Sequence, residues 1–231
     1  MKLLALDTSS EGCSAALLVD GSVTERFEIA PRGHTRLLMP MVRELLSEQG
    51  LAPAALDCLA FACGPGSFTG LRIATGVVQG LAYGLDVPVV PVSSLAAVAA
   101  DAIARHSLAE GDGIAVAFDA RMGELYWACY VCRAGQPQLV GDERVCAPGS
   151  VELASGITRW SGAGQGWALR ESFPAEVVDA MTAIDETLVP RASRVAELAA
   201  TAFREGAGVS AAEAQPVYIR DEVAWKKLPG R

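Results

Sequence analysis

Lysine is almost missing from this sequence. Of the 19 basic residues only Lys2, Lys226 and Lys227 are lysines, and the net charge is −8. Tight binding of a nucleic-acid backbone depends on clustered cations that displace condensed counterions. This charge balance argues against a broad nucleic-acid surface, so we expect contact with RNA to be at most indirect.

Histidine is equally scarce, with only His34 and His106. The sequence has no His-x-x-x-His motif, so the usual ligand sets for a transition metal are missing. Its one Cys-x-x-Cys, Cys129 and Cys132, lies in a strand-like run, where residues three apart point to opposite faces. We therefore predict no metal and no cofactor. The two histidines lie at predicted helix ends, and we assign them to capping.

Long apolar runs are also lacking. No stretch reaches the roughly 18 uncharged apolar residues that a membrane-spanning helix needs. The sequence runs directly from Met1 into the strand-like L-L-A-L-D, and its six cysteines are scattered through apolar runs, as reduced buried thiols are. These features predict a cytoplasmic protein that does not contact a membrane.

The sequence does contain a regular order of strands and helices. Three short β-rich runs separated by turn residues fill residues 1–30 and indicate antiparallel hairpins. Helices and strands then alternate, which gives the order βββαβα. The predicted helices are Thr35–Gln49, Phe68–Gly84 and Ser94–His106, the last capped by its own serine, and the strands between them are Cys58–Cys63 and Val87–Val92.

A second copy of this pattern begins near Gly111. The run I-A-V-A-F-D-A-R-M-G-E-L-Y parallels L-L-A-L-D-T-S-S-E-G-C-S-A, so that Asp7 and Asp119 occupy matching strand ends. Internal repetition of this kind predicts two related lobes. We divide the chain into residues 1–106 and residues 107–231, and we expect the tail of the second lobe, after a helix at about 192–205, to pack back on the first.

The stretch G-P-G-S-F-T-G-L-R, residues 64–72, is open to three interpretations. A P-loop places a lysine after its second glycine, but here Leu71 follows Gly70. A nucleophilic serine needs a positioned base, and Ser67 lies in P-G-S-F-T rather than in G-x-S-x-G. Both mismatches favour the third interpretation, a turn that begins a contact helix.

The helix after this turn carries one charge, Arg72, so it needs cover on more than one side. Gly76, Gly80 and Gly84 recur at i, i+4 and i+8. Each glycine inside a helix costs about 1 kcal/mol relative to alanine, a cost that close approach of another backbone can offset. That backbone belongs either to the chain's own sheet or to a partner helix.

The two acidic turns are weak candidates for a nucleotide site. In two-lobed sugar kinases, hairpin turns with an aspartate at the strand end face the phosphates and their magnesium ion. Asp7-Thr8-Ser9-Ser10 is also ordinary turn chemistry. Asp7 and Asp119 therefore keep open the alternative of a small-molecule kinase or ATPase.

Together, four segments resemble the bacterial TsaB family, also called YeaZ. They are M-K-L-L-A-L-D-T-S-S, G-P-G-S-F-T-G-L-R, D-A-R-M-G-E-L-Y and P-V-Y-I-R-D-E-V-A-W-K-K-L-P-G. The resemblance implies an α/β protein with the two-lobed actin/Hsp70/sugar-kinase-like (ASKHA) fold, each lobe built on a ribonuclease-H-like βββαβα core.

The resemblance also implies a function. TsaB-like proteins take part in making threonylcarbamoyladenosine, the modified base beside the anticodon in tRNAs that read codons beginning with adenine. They act as the non-catalytic partner of TsaD, a paralogue whose metal rests on a His-x-x-x-His motif, together with the ATPase TsaE. The present chain lacks that motif, so we expect it to be no enzyme.

The family's first two helices form a bundle with those of TsaD, or with a second copy of TsaB when TsaD is missing. Carried onto this chain, these are the helices predicted at Thr35–Gln49 and Phe68–Gly84. The expected partner contacts, chosen by helical spacing, are Leu38, Val42, Leu45, Ile73, Gly76, Val77 and Gly80.

Overall fold

The computed structural model describes residues 1–220, so Lys226 and Lys227 lie outside the described part of the chain. The predicted helices and strands of the first lobe are confirmed, with boundary shifts of at most two residues. The strands are β1 Lys2–Asp7, β2 Gly12–Val19, β3 Ser22–Ile29, β4 Cys58–Gly64, β5 Val89–Ser93, β6 Gly113–Arg121, β7 Glu124–Arg133, β8 Gln136–Cys146, β9 Trp160–Ala163 and β10 Met181–Asp185. The helices are α1 His34–Glu48, α2 Phe68–Leu85, α3 Ser94–His106, α4 Ala175–Asp179 and α5 Ala192–Arg204.

The strands form two five-stranded sheets of the same topology. The first sheet has the order β3-β2-β1-β4-β5 and the second has β10-β9-β6-β7-β8. In each, three antiparallel strands lead to two strands that run parallel to the first. The predicted repeat is confirmed, because the second order is the first with every strand replaced by its counterpart.

Matching hairpin turns mark the repeat at the level of single residues. Asp20 and Gly21 between β2 and β3, and Ala134 and Gly135 between β7 and β8, all have positive φ angles, between 49° and 91°. Two consecutive left-handed residues make the turn whose twist matches that of antiparallel strands. The D-G turn of the sequence therefore sets the register of the first hairpin.

The helices do not follow the division of the chain at residue 106. Helices α1 and α2 cover one face of the first sheet, and α5, from the second half of the chain, covers its other face. Helix α3, from the first half, packs mainly on β6 and β7 of the second sheet. Each half of the chain thus contributes a helix that packs on the sheet of the other half. The domain boundary between residues 106 and 107 stays a prediction.

Two local expectations need correction. Helix α3 is capped by Ser93, whose Oγ accepts hydrogen bonds from the N–H groups of Leu95 and Ala96 at 3.1 and 3.2 Å, and not by Ser94. The second lobe has a single 3-10 turn, Pro148–Ser150, where the first lobe has α1. Pro148, Gly149 and Gly156 interrupt any longer helix in this stretch.

The C-x-x-C pair behaves as its spacing predicts. Cys129 belongs to the apolar cluster on one face of the second sheet and Cys132 to the cluster on the other face. All six cysteines are unpaired thiols, and burial raises the pKa of Cys58 and of Cys63 to about 12. None of the helices within residues 1–220 combines the length and apolarity needed to cross a membrane.

Candidate functional site

The glycine-rich loop at residues 64–72 packs directly on the turn that follows β1. A Cβ on Gly66 would collide with Ser9 O, and a Cβ on Gly70 would collide with Thr8 O. The same contact is held by two hydrogen bonds, Ser67 N to Ser9 O at 2.7 Å and Thr8 Oγ1 to Gly70 O at 2.7 Å. Gly66 and Gly70 therefore allow the two backbones to approach closely, and a side chain at either position would prevent this contact.

Asp7 is enclosed beneath this contact. Its side chain is fully buried, and Oδ1 accepts hydrogen bonds from Ser9 N at 2.9 Å and Ser9 Oγ at 2.6 Å. Oδ2 has no hydrogen-bond partner among the described residues. Burial raises the pKa of this carboxyl to about 6, against an opposing effect of the Ser9 hydrogen bonds. Asp7 is thus held by its own turn rather than presented to a ligand.

Asp119 occupies the matching turn of the second lobe but is exposed to solvent. Its Oδ1 accepts a hydrogen bond from Arg121 N at 2.7 Å, as Asp7 Oδ1 does from Ser9 N. The match between Asp7 and Asp119 in the sequence is therefore also structural, because each aspartate accepts a hydrogen bond from the backbone N–H two residues later. Asp119 lines a cavity that Asp7 does not line.

That cavity is a cleft of about 950 Å³ between the two lobes. Residues of the first lobe's turns form one wall and the β6–β7 hairpin forms the other. Within residues 1–220, no three acidic, histidine or cysteine side chains come together as a metal site. The cleft is lined by polar side chains and by apolar ones from Phe68, Phe118 and residues 188–190; the polar side chains include Ser9, Ser10, Arg32, Ser67, Thr69, Asp119, Arg121 and Arg220.

His34 anchors α1 to the first turn and does not cap it. Its Nε2 lies 3.0 Å from Ser10 O and 3.2 Å from Gly12 O, so this nitrogen carries the proton that it donates. The sequence suggested a capping role because His34 begins the helix. The ring instead faces the β1–β2 turn, a tertiary contact that spacing along the chain does not reveal.

The three-glycine ridge of α2 lies on the molecular surface. Gly76, Gly80 and Gly84 are exposed, and a Cβ at any of them would meet no atom within 4 Å from the rest of residues 1–220, the helix's own backbone aside. The interpretation that these glycines let α2 approach its own sheet is wrong. Two aromatic side chains flank the ridge near the helix ends, Phe68 with 57% and Tyr83 with 85% of its surface exposed.

Three of the predicted contact residues lie elsewhere. Leu38, Val42 and Leu45 are at most 2% exposed and belong to the core between α1, α2 and the first sheet. Helical spacing finds the apolar face of α1, and that face meets the protein's own sheet. The prediction that these three side chains are available on the surface for a partner is wrong. Ile73 and Val77 are half-buried at the edge of the same core.

Comparison with known proteins supports this architecture. Residues 27–228 match a family model described as TsaD, tRNA N6-adenosine threonylcarbamoyltransferase. The chain is 39% identical to the tRNA threonylcarbamoyladenosine biosynthesis protein TsaB of Haemophilus influenzae, covering 100% of this chain and 98% of the relative, and 37% identical to that of Escherichia coli K12 over the whole of both.

A solved structure has the same fold. YeaZ from Pseudomonas aeruginosa is 46% identical, superposes with a TM-score of 0.88, and covers 94% of this chain and 99% of its own. With the repeated sheets, this gives the chain the two-lobed ASKHA-like fold expected from its sequence. The chain therefore belongs to the TsaD-like family that the model describes and, by its full-length relatives, to the TsaB proteins of tRNA threonylcarbamoyladenosine biosynthesis.

Proposed function

We propose that this chain is the catalytically silent subunit that binds and supports TsaD, together with TsaE, in forming threonylcarbamoyladenosine beside the tRNA anticodon. It docks through the exposed face of α2, as a heterodimer with TsaD or as a homodimer when alone. The observation that carries this proposal is the glycine ridge, since Gly76, Gly80 and Gly84 face open space on an apolar helix.

The energetics of the ridge support a partner. Three glycines inside a helix forgo roughly 3 kcal/mol of helix stability relative to alanine, and no contact among residues 1–220 uses the space they leave. Packed helices lie about 8–10 Å apart, and small side chains bring them to the short end of that range. Phe68 and Tyr83 at either end supply the exposed aromatic anchors that partner surfaces favour.

The closed first turn supports catalytic silence. In a kinase of this fold the first aspartate would need to reach the phosphates, but Asp7 is buried and engaged by Ser9. The backbone of residues 66–70 fills the space above that turn. The chain also lacks the His-x-x-x-His motif that the metal site of TsaD requires.

The kinase or ATPase alternative has one observation in its favour, the cleft of about 950 Å³ with Asp119 in its wall. Calorimetric titration of the isolated chain with Mg-ATP separates the two functions. Tight binding accompanied by turnover would favour the enzyme and count against a silent subunit.

Co-purification with tagged TsaD tests the docking surface. Gly80→Leu adds bulk in the middle of the ridge, where a Cβ has no neighbour from another element of residues 1–220 within 4 Å, so we expect normal folding and loss of the complex. Ala104→Leu places the same side chain on an exposed position of α3 and serves as the control. Equal recovery of TsaD with both variants would contradict the proposal.

A further inference from the structure

The chain after α5, residues 206–220, forms a strap along the first lobe, from the edge strand β5 past α2 to the glycine loop. Val209 exchanges two backbone hydrogen bonds of 2.9 Å with Val89 at the edge of the first sheet. Ala214 is fully buried in the core, and its carbonyl oxygen accepts a 2.9 Å hydrogen bond from Gln79 Nε2 of α2. This part of the strap is integral to the first lobe.

The strap stays fixed as it reaches the glycine loop. Val217 N donates a 2.8 Å hydrogen bond to Cys63 O, and a Cβ on Gly64 would lie 2.6 Å from Val217 O. The ring of Tyr218 lies 5.5 Å from that of Phe68, and Arg72 Nε donates to Tyr218 Oη at 3.2 Å. The strap therefore arrives at the cleft in a defined position.

Arg220, two residues on, contacts the other lobe. Its guanidinium pairs with the Glu124 carboxylate and lies 3.4 Å from Met122 Sδ, both in the β6–β7 hairpin. The Arg220 side chain is 17% exposed, against 41% for Glu124, and it lines the cleft. One segment is thus anchored on the first lobe and paired with the second across the cleft.

Polar contact between the lobes also occurs away from the cleft. Ser93, at the end of the first sheet, and Tyr130 of β7 both donate to Glu143 Oε1 on β8. None of these three residues lines the cleft. The Ser93–Glu143 contact and the packing of α3 on the second sheet therefore join the lobes away from the cleft.

We propose that residues 214–220 form a latch that holds the two lobes closed over the cleft, with the Arg220–Glu124 pair as its release point. The apolar and backbone contacts of the strap fix one end, and a single charge pair holds the other. Such a pair is weak enough to break in normal fluctuation, so the cleft opens by releasing Arg220 while the strap stays on the first lobe.

The experiment measures opening through a thiol placed in the cleft. Ala120→Cys, in a Cys146→Ser background, introduces a buried thiol on the cleft wall, and its alkylation by iodoacetamide is followed by mass spectrometry. Because the rate of a buried thiol scales with the population of the open state, the readout detects rare opening. We expect Arg220→Ala and Glu124→Gln each to raise this rate about two- to five-fold, the factor for a single ion pair whose carboxylate stays open to solvent.

The variants distinguish a latch, which holds the lobes together, from simple steric cover, in which the Arg220 side chain only shields the thiol. Glu124→Gln keeps Arg220 in place, so cover alone would leave the rate unchanged, and that result overturns the proposal. The exchanged pair, Arg220→Glu with Glu124→Arg, should return the rate to the starting value, and failure of this rescue also overturns it. Arg170→Ala removes a pair with Glu186 inside the second lobe and should leave the rate unchanged.

Discussion

Thr8 Oγ1 donates a 2.7 Å hydrogen bond to the carbonyl oxygen of Gly70, while the carbonyl of Thr8 occupies the place that a Cβ of Gly70 would take. The turn after β1 and the first turn of α2 therefore touch backbone to backbone. This contact fixes the start of the helix that carries the proposed docking ridge. It also gives two glycines of this motif a structural role that requires no phosphate ligand.

Gly70→Ala should destabilise the protein strongly. The added methyl group meets a backbone carbonyl that cannot rotate away, and such overpacking costs about 1–3 kcal/mol. We expect a loss near the upper end, measured as the free energy of unfolding in urea. A variant as stable as the natural protein would show that the two turns do not touch as described.

Gly80→Ala should have the opposite effect on the isolated chain. Beyond the backbone of its own helix, the new Cβ has no neighbour within 4 Å in the described part of the chain, and replacing glycine by alanine inside a helix stabilises it by about 1 kcal/mol. Urea unfolding checks the gain, with Gly76→Ala as a second ridge position. If both variants lose stability, the ridge is not free on the surface of the monomer.

Asp7→Asn should change the pH dependence of stability. The pKa of Asp7 is about 6 in the folded protein against a usual 3.8, so the native state binds more protons between those values and stability falls as the pH rises through them. The Asp7→Asn variant has no carboxyl to ionise, so this decrease in stability is absent from it. We expect its stability relative to the natural protein to improve by about 1.4 kcal/mol between pH 5.0 and pH 7.5.

Urea unfolding at both pH values measures this difference. Asp119→Asn removes the same charge from the matching, exposed turn and serves as the control. A relative stability of Asp7→Asn that does not change with pH would contradict the burial of an ionisable carboxyl at this position.

Leu45→Ala should act on folding. Leu45 is fully buried between α1 and the first sheet, and truncation of a buried leucine costs about 2–5 kcal/mol. Thermal unfolding measures the loss, and Arg43→Ala, at an exposed position of the same helix, controls for helix effects. A stable Leu45→Ala variant would mean that this side chain does not belong to the core.

The strands and helices of the first lobe and the start of the repeat could be predicted from the sequence, because each depends on local signals; β8, β9 and β10 were not predicted. The D-G turn fixes a hairpin, period-two runs fix strands, and Asp7 and Asp119 mark equivalent positions by their place at strand ends. The C-x-x-C was assigned correctly for the same reason, since a strand's alternation decides which face each cysteine takes.

Which surfaces are free was decided only by the tertiary structure. Spacing placed Leu38, Val42 and Leu45 together on one face of α1, but it could not say that this face meets the protein's own sheet. It could not distinguish glycines that approach a backbone, as Gly70 does, from glycines that face solvent, as Gly80 does. Arg220 and Glu124 are 96 residues apart in the chain, and no local signal relates them.

The sequence by itself determined the order of elements in the first lobe, the existence of the repeat and the family, since these follow from the pattern of apolar, polar and turn residues along the chain. Tertiary structure decided the exchange of α3 and α5 between the lobes, the burial of Asp7 and the exposure of the α2 ridge. Those features depend on which elements pack against each other, and packing is settled by contacts between residues far apart in sequence.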